Sequence, residues 1–303
     1  MMRGGSLLLT FGLLVGGFFA PAGANAQSPA AASVGRLEVH ADTSMPARTI
    51  SFGQIFLPGA VQRGDHLEVL LDGHGVPTQV DPKAFNSDGS VRHAILTIEL
   101  PKLRSGQDLN AVIVKQGDAA PDAPPAAAAI PALDVIVGIK GADGAVKSMD
   151  VNLQAVAQNP KNAAPGFWLN GPLAQERRYM ANVNDHLQIL FDVFAPKNGP
   201  ARIDVIFHND WTGIHRDDNV DYDVEMRLAG TVAYQARGVH QYTFSTWHHL
   251  LWTDGQSAPR IGPDLAALEA AGAVPRYAAN FAIANDFIGE IGRAASRLGD
   301  KPM

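Results

Sequence analysis

The sequence predicts a mainly β protein, on three observations. Short apolar runs of strand length recur between glycine-containing turns, apolar and polar residues alternate with period two in the clearest runs, and a helical period appears only near the C-terminus. An N-terminal barrel-like β-domain, then a β-sandwich, then short C-terminal helices accounts for all three.

Residues 1–26 stand apart. Arg3 is a positive lead, Leu7 to Phe19 is an apolar run too short for a comfortable membrane span, and Ala24-Asn25-Ala26 has the small-residue pattern of a cleavage site. A signal peptide cut near Ala26 is expected, and with it a secreted or periplasmic protein. Residues 27–35 are rich in Ala, Ser and Pro and predict a flexible lead-in.

Residues 36–116 predict the barrel-like domain, with runs at Leu37–His40, Thr49–Leu57, Leu67–Leu71, Val91–Leu100 and Leu109–Lys115. Its organising stretch is Leu70–Leu100, where Asp72-Gly73 and Asp88-Gly89 mark tight turns between extended runs. Such turns need positive φ, which glycine supplies without a Cβ clash. Asp88 has a turn role of its own, capping backbone amides. Val76–Asp81 contains Pro77 and suits a sheet edge. Arg92 and His93, adjacent on one strand, point to opposite faces.

Residues 117–131 carry Pro and Ala without periodicity and read as a linker. Residues 132–255 predict the sandwich, clearest at Leu133–Ile139, His186–Ala195, Arg202–Asn209, Val220–Leu228, Thr231–Gly238 and Gln241–Trp252. Ile203, Val205 and Phe207 alternate with Arg202, Asp204 and His208, as a half-buried antiparallel strand requires. Ala229-Gly230 is a further turn, and Trp247, Leu250, Leu251 and Trp252 are expected in the core. Residues 256–303 predict a short helical tail. Asp264 caps a helix over Leu265–Ala271, and a second begins at Asn285 or Asp286.

Composition excludes several functions. With Arg3 removed, 23 basic side chains face 30 acidic ones, which argues against nucleic acid or an anionic membrane as main partner. The absence of cysteine excludes disulfides, thiolate catalysis and thiolate metal sites. No Gly-x-Ser-x-Gly elbow, phosphate loop or dinucleotide fingerprint is present, and no cofactor is expected.

Four groups carry candidate chemistry. Trp168, Glu176, Arg177 and Arg178 join an aromatic face for a sugar ring to guanidinium forks for a uronate carboxylate. Tandem arginines on a strand usually divide into one salt-bridged and one exposed. His208, Asp210 and Trp211 end a strand and open a loop, where function collects. With Glu176, His208 and Asp210 are the candidate catalytic residues, and Trp211 joins the ligand-binding set. Asp217, Asp218, Asp221 and Asp223 are oxygen ligands of the kind calcium takes, without the glycine and terminal glutamate of an EF-hand loop, and no metal is expected. His248 and His249 are separated by strand alternation, and a structural role is expected of both.

The order of DGxGVPxQV at Asp72–Val80, DGSVRHA at Asp88–Ala94, FGQIFLP at Phe52–Pro58, WLNGPLAQE at Trp168–Glu176 and TWHHLLW at Thr246–Trp252 resembles the RIFT-type barrel and central β-domain of exo-rhamnogalacturonan lyase-like secreted bacterial proteins. The resemblance covers most of the mature chain and matches scaffold, not a catalytic centre. It implies that in those relatives a helical toroid domain follows and carries the lyase site. The expectation is a carbohydrate-associated module, non-catalytic by itself, for an acidic, pectin-like polysaccharide, with a helical catalytic partner or domain supplied elsewhere. Two alternatives stay open. One is a polysaccharide lyase or glycoside hydrolase with a site of Glu176, Arg177, His208 and Asp210 between the β-domains. The other is a structural envelope protein without a small ligand.

Overall fold

The structure is a computed structural model and describes residues 33–116, 129–141, 143–209 and 219–274. The signal-peptide reading of residues 1–26, most of the 117–131 linker, Asp210, Trp211, Asp217, Asp218 and the second C-terminal helix lie outside the described residues. The fold is mainly β, built of antiparallel sheets with two short α-helices.

The first β-unit holds β1 (Ser33–Ala41), β2 (Arg48–Ile55), β3 (His66–Leu71), β4 (His74–Val76), β5 (Thr78–Phe85), β6 (Val91–Leu100) and β7 (Gln107–Gln116). They form one sheet in the order β1-β7-β3-β4 and a second in the order β2-β6-β5. Leu37, Val39, Leu67, Val69, Leu96, Ile98 and Ile113 are buried in their shared core. Asp72 (φ +48) and Gly73 (φ +85) close the β3–β4 hairpin, with Leu71 opposite His74. Asp72 also accepts the Asn110 N–H (2.9 Å), tying the turn to β7. Asp88 takes its turn role, accepting the Ser90 N–H (2.9 Å) and hydroxyl (2.6 Å). β5 is a sheet edge, and its irregular pairing starts at Pro82, which has no N–H to give.

The second unit holds β8 (Leu133–Lys140), β9 (Val146–Asn152), α1 (Leu153–Gln158), β10 (Leu169–Asn170), β11 (Ala174–Asn182), β12 (Gln188–Pro196), β13 (Arg202–Asn209), β14 (Val220–Leu228), β15 (Thr231–Gln241) and β16 (Ser245–Trp252). A β10-β11-β12-β13-β16 sheet faces a β15-β14-β8-β9 sheet, with Phe191, Val205, Phe207, Tyr222 and Val224 buried between them. Ala229 (φ +48) and Gly230 (φ +83) turn β14 into β15. Leu250 departs from the core expectation. It is exposed, because alternation along β16 sends Leu251 inward and Leu250 to the outer face.

Alternation is regular in β13, but β12 is buried on both faces from Ile189 to Phe191 and from Val193 to Ala195. Part of the reason lies outside the sandwich. Ile95 of the first unit packs on Leu169, Ala174 and Phe194, covering the outer face at that end.

The join is otherwise polar. Buried Gln79 of β5 accepts the N–H groups of Leu173 (2.9 Å) and Ala174 (3.0 Å), and donates to the Ala174 carbonyl (3.1 Å) and Asp81 (2.7 Å). A Cβ on Gly171 would lie 2.4 Å from the Gln79 amide carbon, so glycine there makes room for the side chain. Arg48, its side chain wholly buried, pairs with Asp254 (2.6 Å) and lies over the Trp252 ring (5.2 Å). The Thr49 hydroxyl donates to the Asn198 carbonyl (3.0 Å).

After β16 the chain returns to the first unit. β17 (Arg260–Pro263) pairs with β1, Leu37 standing opposite Pro263, and Arg260 donates to both oxygens of Asp42 (2.8 and 2.9 Å). This strand lies in what the sequence reads as a helical tail. α2 (Leu265–Ala270) follows as expected, capped by Asp264, which accepts the Ala267 N–H (3.1 Å).

Candidate functional site

Four of the candidate residues meet. The loop from Ala163 to Trp168 runs along the edge of β11. Ala164 N–H donates to the Arg178 carbonyl (2.9 Å) and Trp168 N–H to the Glu176 carbonyl (2.7 Å). Between that loop and the strands lies an open cavity of about 480 Å³, lined by Phe167, Trp168, Glu176, Arg177, Arg178 and Asp192 among others. Trp168, Glu176, Arg177 and Arg178 share it because a loop and the strand it pairs with are short-range neighbours.

The two arginines divide as expected in one respect and not in another. Arg178 stands opposite Asp192 and grips both its oxygens, each at 2.6 Å. This paired arginine is also the more exposed of the two. Arg177 lies on the other face of β11 and folds back under the loop, donating Nε (3.2 Å) and Nη2 (3.0 Å) to the Ala164 carbonyl. Its guanidinium stacks 5.1 Å from the Phe167 ring centre and has no acidic partner among the described residues. Phe167 is 42% exposed and Trp168 52%.

Three contributors are invisible in the linear sequence. Lys83 of β5 reaches across from the first unit, donates to the Trp168 carbonyl and sits 4.4 Å from its ring centre. Burial holds the Lys83 ammonium below the usual lysine range, against the pull of Asp81 and Glu176. Arg202 of β13 donates to Glu176 (3.0 Å), and Asp192 closes the cavity beside Arg178. For Lys83 the only local hint is a charged residue in an edge strand. For Arg202 and Asp192 it is a charge on the outward face of an alternating strand.

Glu176 is buried at the cavity floor. Burial raises its carboxyl above the usual glutamate range, with Arg202 opposing the shift and Asp192 adding to it. His93, near Lys83, is held below the usual histidine range, first by burial and then by the Lys83 charge.

The structure does not bring Glu176 and His208 together. Glu176 lies in the cross-strand row of Phe194 and Arg202, at the start of β13, whereas His208 is six residues further along. At the strand rise that is about 20 Å. A site of Glu176, Arg177 and His208 is therefore corrected: β13 itself separates its members.

Asp221 and Asp223 are already engaged. Asp221 meets His240 (2.7 Å), while Asp223 accepts the Gly238 N–H (2.6 Å) and pairs with Lys140 (3.2 Å). Among the described residues no cluster of three or more His, Asp or Glu side chains is arranged to hold a metal ion. His248 bonds Asp204 (2.8 Å) on the outer face, and His249 stacks on Tyr234 (3.8 Å), so alternation separates them. No helix among the described residues is long and apolar enough to cross a membrane.

No family model and no curated protein matches the chain. Among solved structures it is similar to a protein in glycosyl hydrolase family 38 from Enterococcus faecalis, with a TM-score of 0.32 and 10% identity over 64% of this chain. The chain spans about a third of that protein's length, the match covering 32% of it. No residue role follows from a likeness at this level.

Proposed function

We propose that the chain is an exported, carbohydrate-associated β-module that binds an acidic glycan in the Trp168 cavity and does not itself break the glycan. One observation carries this reading. Exposed rings at Phe167 and Trp168 stand beside a guanidinium, Arg177, that has no acidic partner among the described residues, in a cavity of about 480 Å³. That volume falls within the usual range for small-ligand sites. An aromatic face suits the C–H face of a sugar, and an unpaired guanidinium suits a uronate carboxylate. Binding is favoured over catalysis because each carboxylate in the cavity already faces a guanidinium, Glu176 that of Arg202 and Asp192 that of Arg178.

The test is native electrophoresis through gels containing polygalacturonate. Retardation of the wild type is expected, with Arg177→Ala binding roughly tenfold more weakly, the worth of one charge-assisted contact. No retardation by any acidic polysaccharide, or an unchanged Arg177→Ala, would overturn the reading. N-terminal sequencing of the exported protein checks cleavage near Ala26.

One observation favours the second reading, a lyase or hydrolase. Two carboxylates in different surroundings, Glu176 pushed up by burial and Asp192 held by Arg178, line one cavity. Incubation with rhamnogalacturonan, followed by the ultraviolet absorbance of an unsaturated uronate, tests the lyase form. A steady rise, absent in Glu176→Gln, would replace binding by catalysis.

A further inference from the structure

At the far end of β13 from the cavity, three residues join β15 to β16, and two are the aromatics Tyr242 (63% exposed) and Phe244 (69%). The turn is closed by Ser245, whose N–H (3.1 Å) and hydroxyl (2.5 Å) both donate to the Tyr242 carbonyl. Phe244 occupies its third position at φ +60, where glycine or asparagine is the usual occupant. A bulky side chain there strains the backbone and persists only where the surroundings enforce it.

The surroundings do enforce it. Phe244 N–H donates to the Asn209 carbonyl (2.5 Å), and Thr243 N–H to Asn219 Oδ1 (3.0 Å). Beneath the turn, buried Gln241 donates to the carbonyls of Phe207 (3.0 Å) and Ser245 (2.9 Å) and accepts the Tyr222 hydroxyl (2.6 Å). That hydroxyl in turn accepts the Trp247 indole N–H (2.6 Å). A satisfied buried network thus fixes the strained turn, and the turn holds two rings in solvent.

We propose that Tyr242 and Phe244 form a second glycan-contact site, for the ring of a neutral sugar. Two rings fall far short of the roughly 800 Å² a side that a stable protein interface needs. The rim is polar. His240 sits edge-on to Tyr242 (4.6 Å, 83°) and bonds Asp221, and Asn219 lies beside Thr243, so ring hydroxyls have partners around an apolar face. Asp221 also sets the charge preference, because a carboxylate at the rim repels a uronate and an anionic surface alike. A rigid, pre-set pair of rings loses little freedom on binding. The site stands independently of the Trp168 cavity, which carries the opposite charge preference.

The test is affinity electrophoresis of the full chain through neutral galactan, arabinan and xylan, with polygalacturonate run in parallel. Retardation by at least one neutral polysaccharide is expected, roughly tenfold weaker in Phe244→Gly and in Tyr242→Ala and unchanged in Arg177→Ala. Phe244→Gly keeps the turn, since glycine takes positive φ without strain, and its melting temperature should equal or exceed the wild type's. A loss of binding with that outcome cannot be ascribed to unfolding. The proposal is overturned if no neutral polysaccharide retards the wild type, or if both variants are retarded as strongly. It is overturned equally if the Phe244-sensitive binding is to phosphatidylcholine vesicles and not to glycan. Failure here with Arg177-dependent retention by polygalacturonate leaves the cavity reading standing.

Discussion

The two ends of the β10-β11-β12-β13-β16 sheet use the same device for opposite purposes. At the Arg202 end, buried polar side chains of the first β-unit reach into the sandwich and find their partners there: Gln79 on the Leu173–Ala174 backbone, Arg48 on Asp254. At the Asn209 end, Gln241 and Tyr222 are buried as thoroughly, but their bonds turn inward and stiffen a loop that exposes two aromatic rings. Buried polar groups cost free energy unless they are bonded, so the Gln79 and Gln241 networks each hold to a single geometry, while Arg48 keeps a buried Nε with no hydrogen-bond partner among the described residues. One end joins and the other presents. The difference lies in where the acceptors are, not in the kind of residue used.

The contrast can be broken most severely at Gln79. Gln79→Leu strips the side-chain acceptor from two buried backbone N–H groups, those of Leu173 and Ala174, and about 4 kcal/mol of stability should be lost in urea unfolding. A loss below about 1 kcal/mol would mean the joint relaxes around the gap and is not a rigid contact. Arg48→Met comes next, at about 3 kcal/mol, since Asp254 keeps some solvent when its partner goes. Calorimetry of this variant sharpens the comparison: a transition that splits in two would show the two units parting, and a lowered single transition would show them still coupled.

At the presenting end, Tyr222→Phe strips partners from the Trp247 indole and the Gln241 amide, for an expected loss of about 2 kcal/mol. Equal or greater damage there than at Gln79 would erase the distinction between the ends. The smallest effect lies away from both, at Asp88, whose carboxyl is held below its usual range first by the Ser90 hydroxyl and then by the Ser90 N–H. A lowered folded-state pKa contributes stability above the unfolded value of 3.8 and loses it as pH falls through the folded one. Asp88→Asn should therefore melt below wild type at pH 6, with the gap closing in acid. A gap that stays constant down to pH 2.5 would remove the electrostatic account of that turn.

Local features were legible in the sequence and distant ones were not. Asp72-Gly73 and Ala229-Gly230 announce their turns because the required φ is a property of the residues themselves. Val91–Leu100 and Arg202–Asn209 were legible as strands to the residue, the first as an apolar run bounded by turns and the second through period-two burial. Burial on both faces of β12 was not, because it depends on Ile95, nearly a hundred positions earlier. β17 is illegible for another reason: Arg-Ile-Gly-Pro has neither length nor alternation, and only its pairing with β1 makes it a strand. The cavity divides the same way. Trp168, Glu176, Arg177 and Arg178 sit within eleven positions and could be grouped by eye, whereas Lys83 and Arg202 enter only through the fold. Glu176 and His208 are of types that suit one site, but the length of β13 keeps them apart, and that length is not a property of either residue.

The return of residues 260–263 to β1 has a consequence for how the polypeptide is made. Among the described residues, the first sheet receives its outermost member only after some 220 further residues have been synthesised, so β1 lacks that neighbour until late in translation. A fragment ending at Trp252 would keep both apolar cores yet leave the outer rim of β1 bare, a template for pairing with a neighbouring molecule. Four unremarkable residues thus finish, among the described residues, the sheet that β1 opens.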